Sequence, residues 1–146
     1  MRLAMFQPDI PQNLGAAIRL CACLGIGLDV IRPAAFPLDD RDLRRTAMDY
    51  ADAADITLHD GWQAFQVARA DSRLILMTTR AASDLHDFAF QPDDVLLMGR
   101  ESAGVPDAVH DSADARIRIP MANGARSLNV VTAAAMALGE AIRQIR

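Results

Sequence analysis

Basic residues are not in excess in this chain of 146 residues: 15 Lys and Arg stand against 19 Asp and Glu, a formal net charge of −4. That weighs against broad, nonspecific nucleic-acid binding, which a basic surface usually supports. It leaves room for a local patch. Arg41, Arg44 and Arg45 cluster in Asp39-Asp40-Arg41-Asp42-Leu43-Arg44-Arg45, where the interleaved acids fit a solvated helix face equally well. Cysteine is scarce. Cys21 and Cys23 sit on an apolar helical pattern without metal partners, and are expected as reduced core thiols of a cytoplasmic protein. The three histidines, His59, His86 and His110, share no metal-ligand spacing, so no metal is expected. Aromatics make up only 5%. No apolar run approaches the ~20 residues of a membrane span. The opening Met1-Arg2-Leu3-Ala4-Met5-Phe6 soon meets Gln7-Pro8-Asp9 and does not read as a secretory leader. There is no Gly-x-Ser-x-Gly elbow and no Gly-x4-Gly-Lys phosphate loop. Repeats, low-complexity tracts and linkers are also missing.

What is present is a 51% apolar chain rich in Ala, Leu, Val and Ile, near the commonest size of one domain, 1–146. Strands are expected at 2–6, 28–31, 55–58, 73–78, 94–98 and 115–119. Helices are expected from Asn13 to a stop at Leu24-Gly25, and over 40–48, 62–70 and 105–111. A last helix, capped by Ser127, runs to the end. Strands alternating with helices argue for a parallel α/β sheet. The run 94–98 is continuously apolar, as a strand buried on both faces should be. Residues 81–92 are the least patterned and read as a surface loop or short helix.

Three polar segments could carry chemistry. In Asn13-Leu14-Gly15-Ala16-Ala17-Ile18-Arg19, Asn13 suits a helix N-cap, and Arg19 lies beyond the first turn. In Gly99-Arg100-Glu101-Ser102-Ala103-Gly104, a glycine ends a buried strand where backbone can approach a ligand, and Glu101 follows in the loop. In Ile119-Pro120-Met121 with Ser127-Leu128-Asn129, two apolar side chains could flank a flat ring, and Ser127 could orient a polar substrate or cap the helix. The last two sit where open α/β folds bind ligands, beyond the carboxyl ends of strands. An unrelated flavodoxin-like domain would instead place a phosphate loop after its first strand. Gln7-Pro8-Asp9-Ile10-Pro11 makes a poor one, with two prolines lacking N–H groups and an acid facing the anion.

Taken together, the segments resemble the three motifs of the SPOUT class of RNA methyltransferases: Asn13-x-Gly15-x3-Arg19, Gly99-x-Glu101-x2-Gly104-Val105-Pro106, and Ile119-Pro120-Met121 with Ser127-Leu128-Asn129-Val130. Phe6-Gln7-Pro8-Asp9-Ile10-Pro11-Gln12-Asn13-Leu14-Gly15, Ile18-Arg19-Leu20-Cys21-Ala22, Leu43-Arg44-Arg45 and Met48-Asp49-Tyr50 are similar to the TrmL (YibK-like) branch of that class. The resemblance implies a six-stranded parallel sheet with a C-terminal trefoil knot, a rare exception to ordinary connection rules. It implies 2′-O-methylation of the wobble nucleotide of tRNA (position 34, cytidine or modified uridine), with S-adenosylmethionine (AdoMet) as methyl donor and S-adenosylhomocysteine (AdoHcy) as product. A homodimer acting on the anticodon loop is implied too. Other readings are the same chemistry at another tRNA or rRNA site, or a noncatalytic RNA-binding protein of the same fold. Carried over by residue, Met77, Thr78, Thr79, Gly99, Gly104, Ile119, Met121, Ser127 and Leu128 would bind the cofactor. Arg19 would position the ribose or act as base, and Asn13, Glu101 and Asn129 would organise the region. Arg19, Arg41, Arg44 and Arg45 would contact RNA. The chain departs from the pattern at Arg100, where many relatives carry Pro or Ser, and at Gly139, where relatives tend to place a tyrosine.

Overall fold

A computed structural model describes residues 1–38, 50 and 54–146. The helix expected over 40–48, with Arg41, Arg44 and Arg45, lies outside the described residues. Strands β1 (Arg2–Phe6), β2 (Gly27–Ile31), β3 (Ile56–His59), β4 (Leu74–Met77), β5 (Ser83–Asp84), β6 (Val95–Met98) and β7 (Ala115–Arg118) form one parallel sheet in the order β3-β2-β1-β6-β4-β7-β5. Helices α1 (Pro11–Leu24), α2 (Trp62–Ala68), α3 (Asp107–Asp111) and α4 (Val130–Ile145) accompany it. Among the described residues the sheet therefore has seven strands, not the expected six. The extra strand is β5, two residues that pair with Ile117 and Arg118 at the edge. It carries no apolar pattern, because pairing rather than burial defines it.

The central strands are apolar on both faces because each face has its own cover. Leu3, Met5, Leu28, Val30, Ile75, Leu96, Met98 and Ile117 pack with Leu14, Ile18 and Cys21 of α1 and with Ala134, Ala137 and Leu138 of α4. Ala4, Phe6, Leu74, Leu76, Val95 and Leu97 face the other way, toward Phe65 of α2 and Val109 of α3. Each fully buried Leu or Ile contributes about 1.5–3 kcal/mol of transfer free energy, so this two-sided burial dominates the stability. Helices α1 and α4 also pack on each other, which brings the two ends of the chain together on one face.

The helix ends differ from the sequence expectations. Helix α1 starts at Pro11, with Ile10 at the N-cap and no side-chain cap. Proline suits this first position, since its φ is pre-set and its missing N–H would have had no helical partner. Asn13 is therefore inside the first turn, and its amide is used in tertiary contacts described below. The stop at Gly25 is as expected: Gly25 has φ 65°, and the N–H groups of Gly25 and Ile26 donate to Ala22 O and Cys21 O. Helix α4 is capped by Asn129, not by Ser127. The Asn129 Oδ1 accepts from the N–H groups of Val131 (2.9 Å) and Thr132 (3.2 Å). Helix α3 starts at Asp107 rather than residue 105, with Pro106 at its N-cap.

Two further expectations need correction. Cys21 is buried, and burial pushes its thiol up to about 12, but Cys23 is exposed. Two positions apart on a helix, the pair cannot share the inward face. Residues 81–92, read as a surface loop or short helix, are more than either. They form β5 and a 3-10 turn, Leu85–Asp87, and they bury Leu85 and Phe90. Gln144 of α4 fixes this stretch with its side-chain amide. It accepts from the Phe90 N–H (2.9 Å) and donates to Phe88 O (3.0 Å).

Polar side-chain contacts tie strand to strand. Asp94, 1% exposed, takes Arg73 Nε (2.7 Å) and Nη2 (2.8 Å) on its two oxygens and also accepts from the Gln91 N–H. Asp29, buried on β2, lies 2.7 Å from both Arg2 Nε and His59 Nε2, linking β1, β2 and β3.

Candidate active site

The carboxyl ends of β4, β6 and β7 open into a cavity of about 470 Å³. Leu76, Met77, Met98, Ile119 and Met121 supply apolar wall, and Thr78, Thr79 and the loop backbones supply polar edge. The volume lies within the roughly 300–1,000 Å³ of small-molecule sites.

The loop after β6 is shaped by its two glycines. Gly104 has φ 66°, and Arg100 and Gly104 exchange both backbone hydrogen bonds at 2.9 Å. The loop so closes on itself that a Cβ on Gly99 would lie 2.8 Å from the Gly104 backbone. Gly99 was expected to let backbone approach a ligand. In the structure it lets the loop approach itself.

A polar relay crosses the cavity rim. Glu101 Oε2 accepts from the Asp9 N–H (2.9 Å), and Oε1 accepts from Asn13 Nδ2 (2.9 Å). Asn13 Oδ1 in turn accepts from Asn129 Nδ2 (3.1 Å). Asn129 spends its remaining oxygen on the first turn of α4. Three residues separated by 88 and 116 positions in sequence are thus joined in one chain of side-chain hydrogen bonds. Since both Glu101 oxygens are engaged, Glu101 orients Asn13.

A second set of bonds locks the loop after β1 to the loop after β6. Asp9 Oδ1 accepts from Arg100 Nη2 (2.9 Å) and Nε (3.2 Å), and Oδ2 accepts from Ser102 N (3.0 Å) and Oγ (2.6 Å). The Ser102 hydroxyl and N–H, with the Arg100 guanidinium, hold the Asp9 carboxyl down at about 2.

All nine residues expected at the cofactor line this cavity: Met77, Thr78, Thr79, Gly99, Gly104, Ile119, Met121, Ser127 and Leu128. So do Asn13, Glu101 and Asn129. Arg19 does not line it. It projects from α1 with its guanidinium 5.0 Å from the centre of the Tyr50 ring and its Nη2 3.4 Å from the Tyr50 hydroxyl. Sequence reasoning missed Ile10, Leu76, Met98, Arg100, Val105, Arg118, Arg126, Val130 and Ala133 as lining residues. Arg100 and Arg126 were legible by adjacency, since each directly precedes a motif residue. Arg118 ends a strand and gave no signal. No group of His, Cys, Asp and Glu among the described residues could hold a metal ion. No helix among them is long and apolar enough to cross a membrane.

Known proteins share this architecture. A tRNA (cytidine(34)-2'-O)-methyltransferase of Beijerinckia indica subsp. indica is 55% identical over 145 residues, covering 98% of this chain and 91% of its own. The enzyme of the same description from Escherichia coli K12 is 36% identical over 147 residues, with 99% and 94% covered. A solved structure described as giving insight into the 2-OH methylation of C/U34 on tRNA superposes with a TM-score of 0.91 at 38% identity, covering 98% of this chain and 94% of that one. The SpoU methyltransferase AviRb from Streptomyces viridochromogenes, solved in complex with AdoMet, superposes at 0.82 with 30% identity, covering 99% of this chain and 60% of that one. Residues 1–139 match the SpoU rRNA Methylase family, and the chain belongs to that family.

Proposed function

We propose that this protein transfers a methyl group from AdoMet to the ribose 2′-oxygen of the wobble nucleotide, position 34, of tRNA. The names of its relatives and of the first structural neighbour support that substrate. The observation that carries the reading is the Glu101–Asn13–Asn129 relay, set on the rim of a cavity of the right size at the strands' carboxyl ends.

The residues present fit AdoMet. Leu76, Met77, Ile119 and Met121 offer apolar surface to a flat base, while Thr78, Thr79 and the backbone of the two carboxyl-end loops offer hydrogen bonds to its edge and ribose. Bound there, AdoMet supplies a methyl group already activated on a sulfonium. The protein's task is then alignment, the chief contribution when the electrophile is pre-activated. Glu101 holds Asn13, Asn13 holds Asn129, and Asn129 fixes the start of α4, so the rim is rigid where the ribose would sit. The 2′-hydroxyl proton must pass to a base. A guanidinium, with pKa above about 12, is a poor one, so we assign Arg19 to hold the ribose.

Because Arg19 lies away from its own cavity, we place it at the cavity of a partner in a homodimer. Exposed Ile10, Leu128 and Met136, each 40–42% accessible, offer apolar surface for that contact. Arg41, Arg44 and Arg45 are carried as tRNA phosphate contacts. The trefoil knot, a cytoplasmic location and independence of metal complete the proposal.

The test is transfer of labelled methyl from AdoMet to unmodified total tRNA, with any 2′-O-methyl nucleotide mapped by mass spectrometry. Label at position 34 is expected. Label elsewhere moves the substrate, and no transfer to tRNA despite AdoMet binding points to ribosomal RNA or to a noncatalytic binder. Arg19→Ala should abolish turnover and leave AdoMet affinity unchanged.

A further inference from the structure

We propose that Asp9 sets the cavity's preference for a cationic ligand over a neutral one by cancelling the charge of Arg100. The inference rests on the AdoMet reading above. Arg100 lines the cavity, and its guanidinium reaches a single oxygen of Asp9 with both Nη2 (2.9 Å) and Nε (3.2 Å). The Asp9 side chain is 14% exposed and that of Arg100 is 38% exposed, so solvent only partly screens the pair. The second Asp9 oxygen is fixed by Ser102, which keeps the carboxylate aimed at this loop. The Arg118 guanidinium on the same wall is held in the same manner, with its Nε 2.7 Å from Asp84. Of the three arginines that line the cavity, Arg100, Arg118 and Arg126, the first two are thus each matched by an aspartate.

The pairing has a chemical consequence. AdoMet carries a positive sulfonium, whereas AdoHcy has a neutral thioether at the same place. An unmatched guanidinium on the wall repels the first and leaves the second unaffected. Every other group is common to the two ligands, including the amino-acid end, so loop damage or lost hydrogen bonds weaken both alike. The ratio of their affinities therefore isolates charge from structure.

The experiment measures dissociation constants of AdoMet and AdoHcy by calorimetry on the full chain, without RNA, for wild type, Asp9→Asn, Arg100→Gln and the double variant. Asp9→Asn should shift the affinity ratio against AdoMet by about three- to tenfold, the scale of one unit charge acting across a partly screened cavity. Arg100→Gln leaves the Asp9 carboxylate unmatched and should shift the ratio the opposite way. The double variant should return near wild type. If Asp9→Asn weakens both ligands equally and Arg100→Gln leaves the ratio unchanged, Asp9 is only a loop clamp and the proposal falls. Should Asp9→Asn fail to fold, the Arg100→Gln arm decides by its sign alone. A wild-type protein that binds neither ligand refutes the AdoMet reading itself, a distinct failure.

Discussion

Replacing Asn129 separates two jobs that this one side chain performs. Its Oδ1 caps α4 through Val131 and Thr132, and its Nδ2 donates to Asn13 at 3.1 Å. Losing an N-cap costs typically about 1 kcal/mol. Losing a solvent-exposed neutral hydrogen bond adds about 0.5 kcal/mol, the low end of the usual range. Asn129→Ala should therefore destabilise by about 1.5 kcal/mol, which lowers Tm by roughly 3–6 °C for a chain of this size. Asn129→Asp keeps a good cap and lets a negative charge meet the positive end of the helix, so its Tm should stay within about 1 °C of wild type. It loses the donor to Asn13, however, and brings a carboxylate toward Glu101. Turnover should fall in both variants, while stability falls only in the alanine one. Ser127→Ala is the control and should leave Tm unchanged. Thermal melts followed by circular dichroism, with methyl transfer measured in parallel, decide the matter. An aspartate variant as unstable as the alanine one would refute the cap assignment. An aspartate variant with full turnover would remove the Asn13 link from the site.

Three other outcomes follow from the same geometry. Gly99→Ala puts a methyl 2.8 Å from the Gly104 backbone, so the loop must open; AdoMet affinity should drop sharply, with about 1–3 kcal/mol of stability lost in urea titration. Arg73→Ala leaves the Asp94 carboxylate, 1% exposed, without its cation and should cost about 3–5 kcal/mol by the same titration, with turnover per folded molecule retained. Asp9 titrates below its ordinary value, near 2, so its clamp contributes in full above its unfolded pKa of about 4 and is lost as pH falls toward 2. Stability of wild type relative to Asp9→Asn should be flat from about pH 5 to 8 and converge below about pH 4; divergence on the alkaline side would contradict the assignment.

The sheet was legible where burial leaves a mark on composition. Leu74-Ile75-Leu76-Met77 and Val95-Leu96-Leu97-Met98 are apolar on both faces, and both became central strands. The edge strand Ser83–Asp84 was not legible, since it exists through pairing with β7 alone. Asn13 and Ser127 were misplaced as caps because Asn and Ser satisfy local and distant partners with the same atoms. Pro11 is a better local signal for the helix start than Asn13, where the helix was expected to begin. Asn13, Glu101, Asn129 and the nine expected cofactor residues were found on the cavity wall only because the motif resemblance grouped segments that periodicity treats as unrelated, and it left out neighbours such as Leu76, Met98 and Arg118. The relay and the Asp9 clamp were hidden, since each joins residues about 90 positions apart or more and no local rule anticipates such partners.

The relay also fixes when the site can come into being. Its members stand at positions 13, 101 and 129, and the cavity wall is finished only by Ala133 on the last helix. During synthesis, then, no emerging chain can hold ligand until the segment through Ala133 has left the ribosome. At roughly 5–20 residues per second, the stretch from Glu101 to Ala133 alone takes a few seconds. Through that interval the strands β1, β4 and β6 can pair, but their carboxyl ends remain open to water. Ligand capture is consequently a late checkpoint of assembly: saturable AdoMet binding reports that the segments from Ile10 to Ala133 have come together.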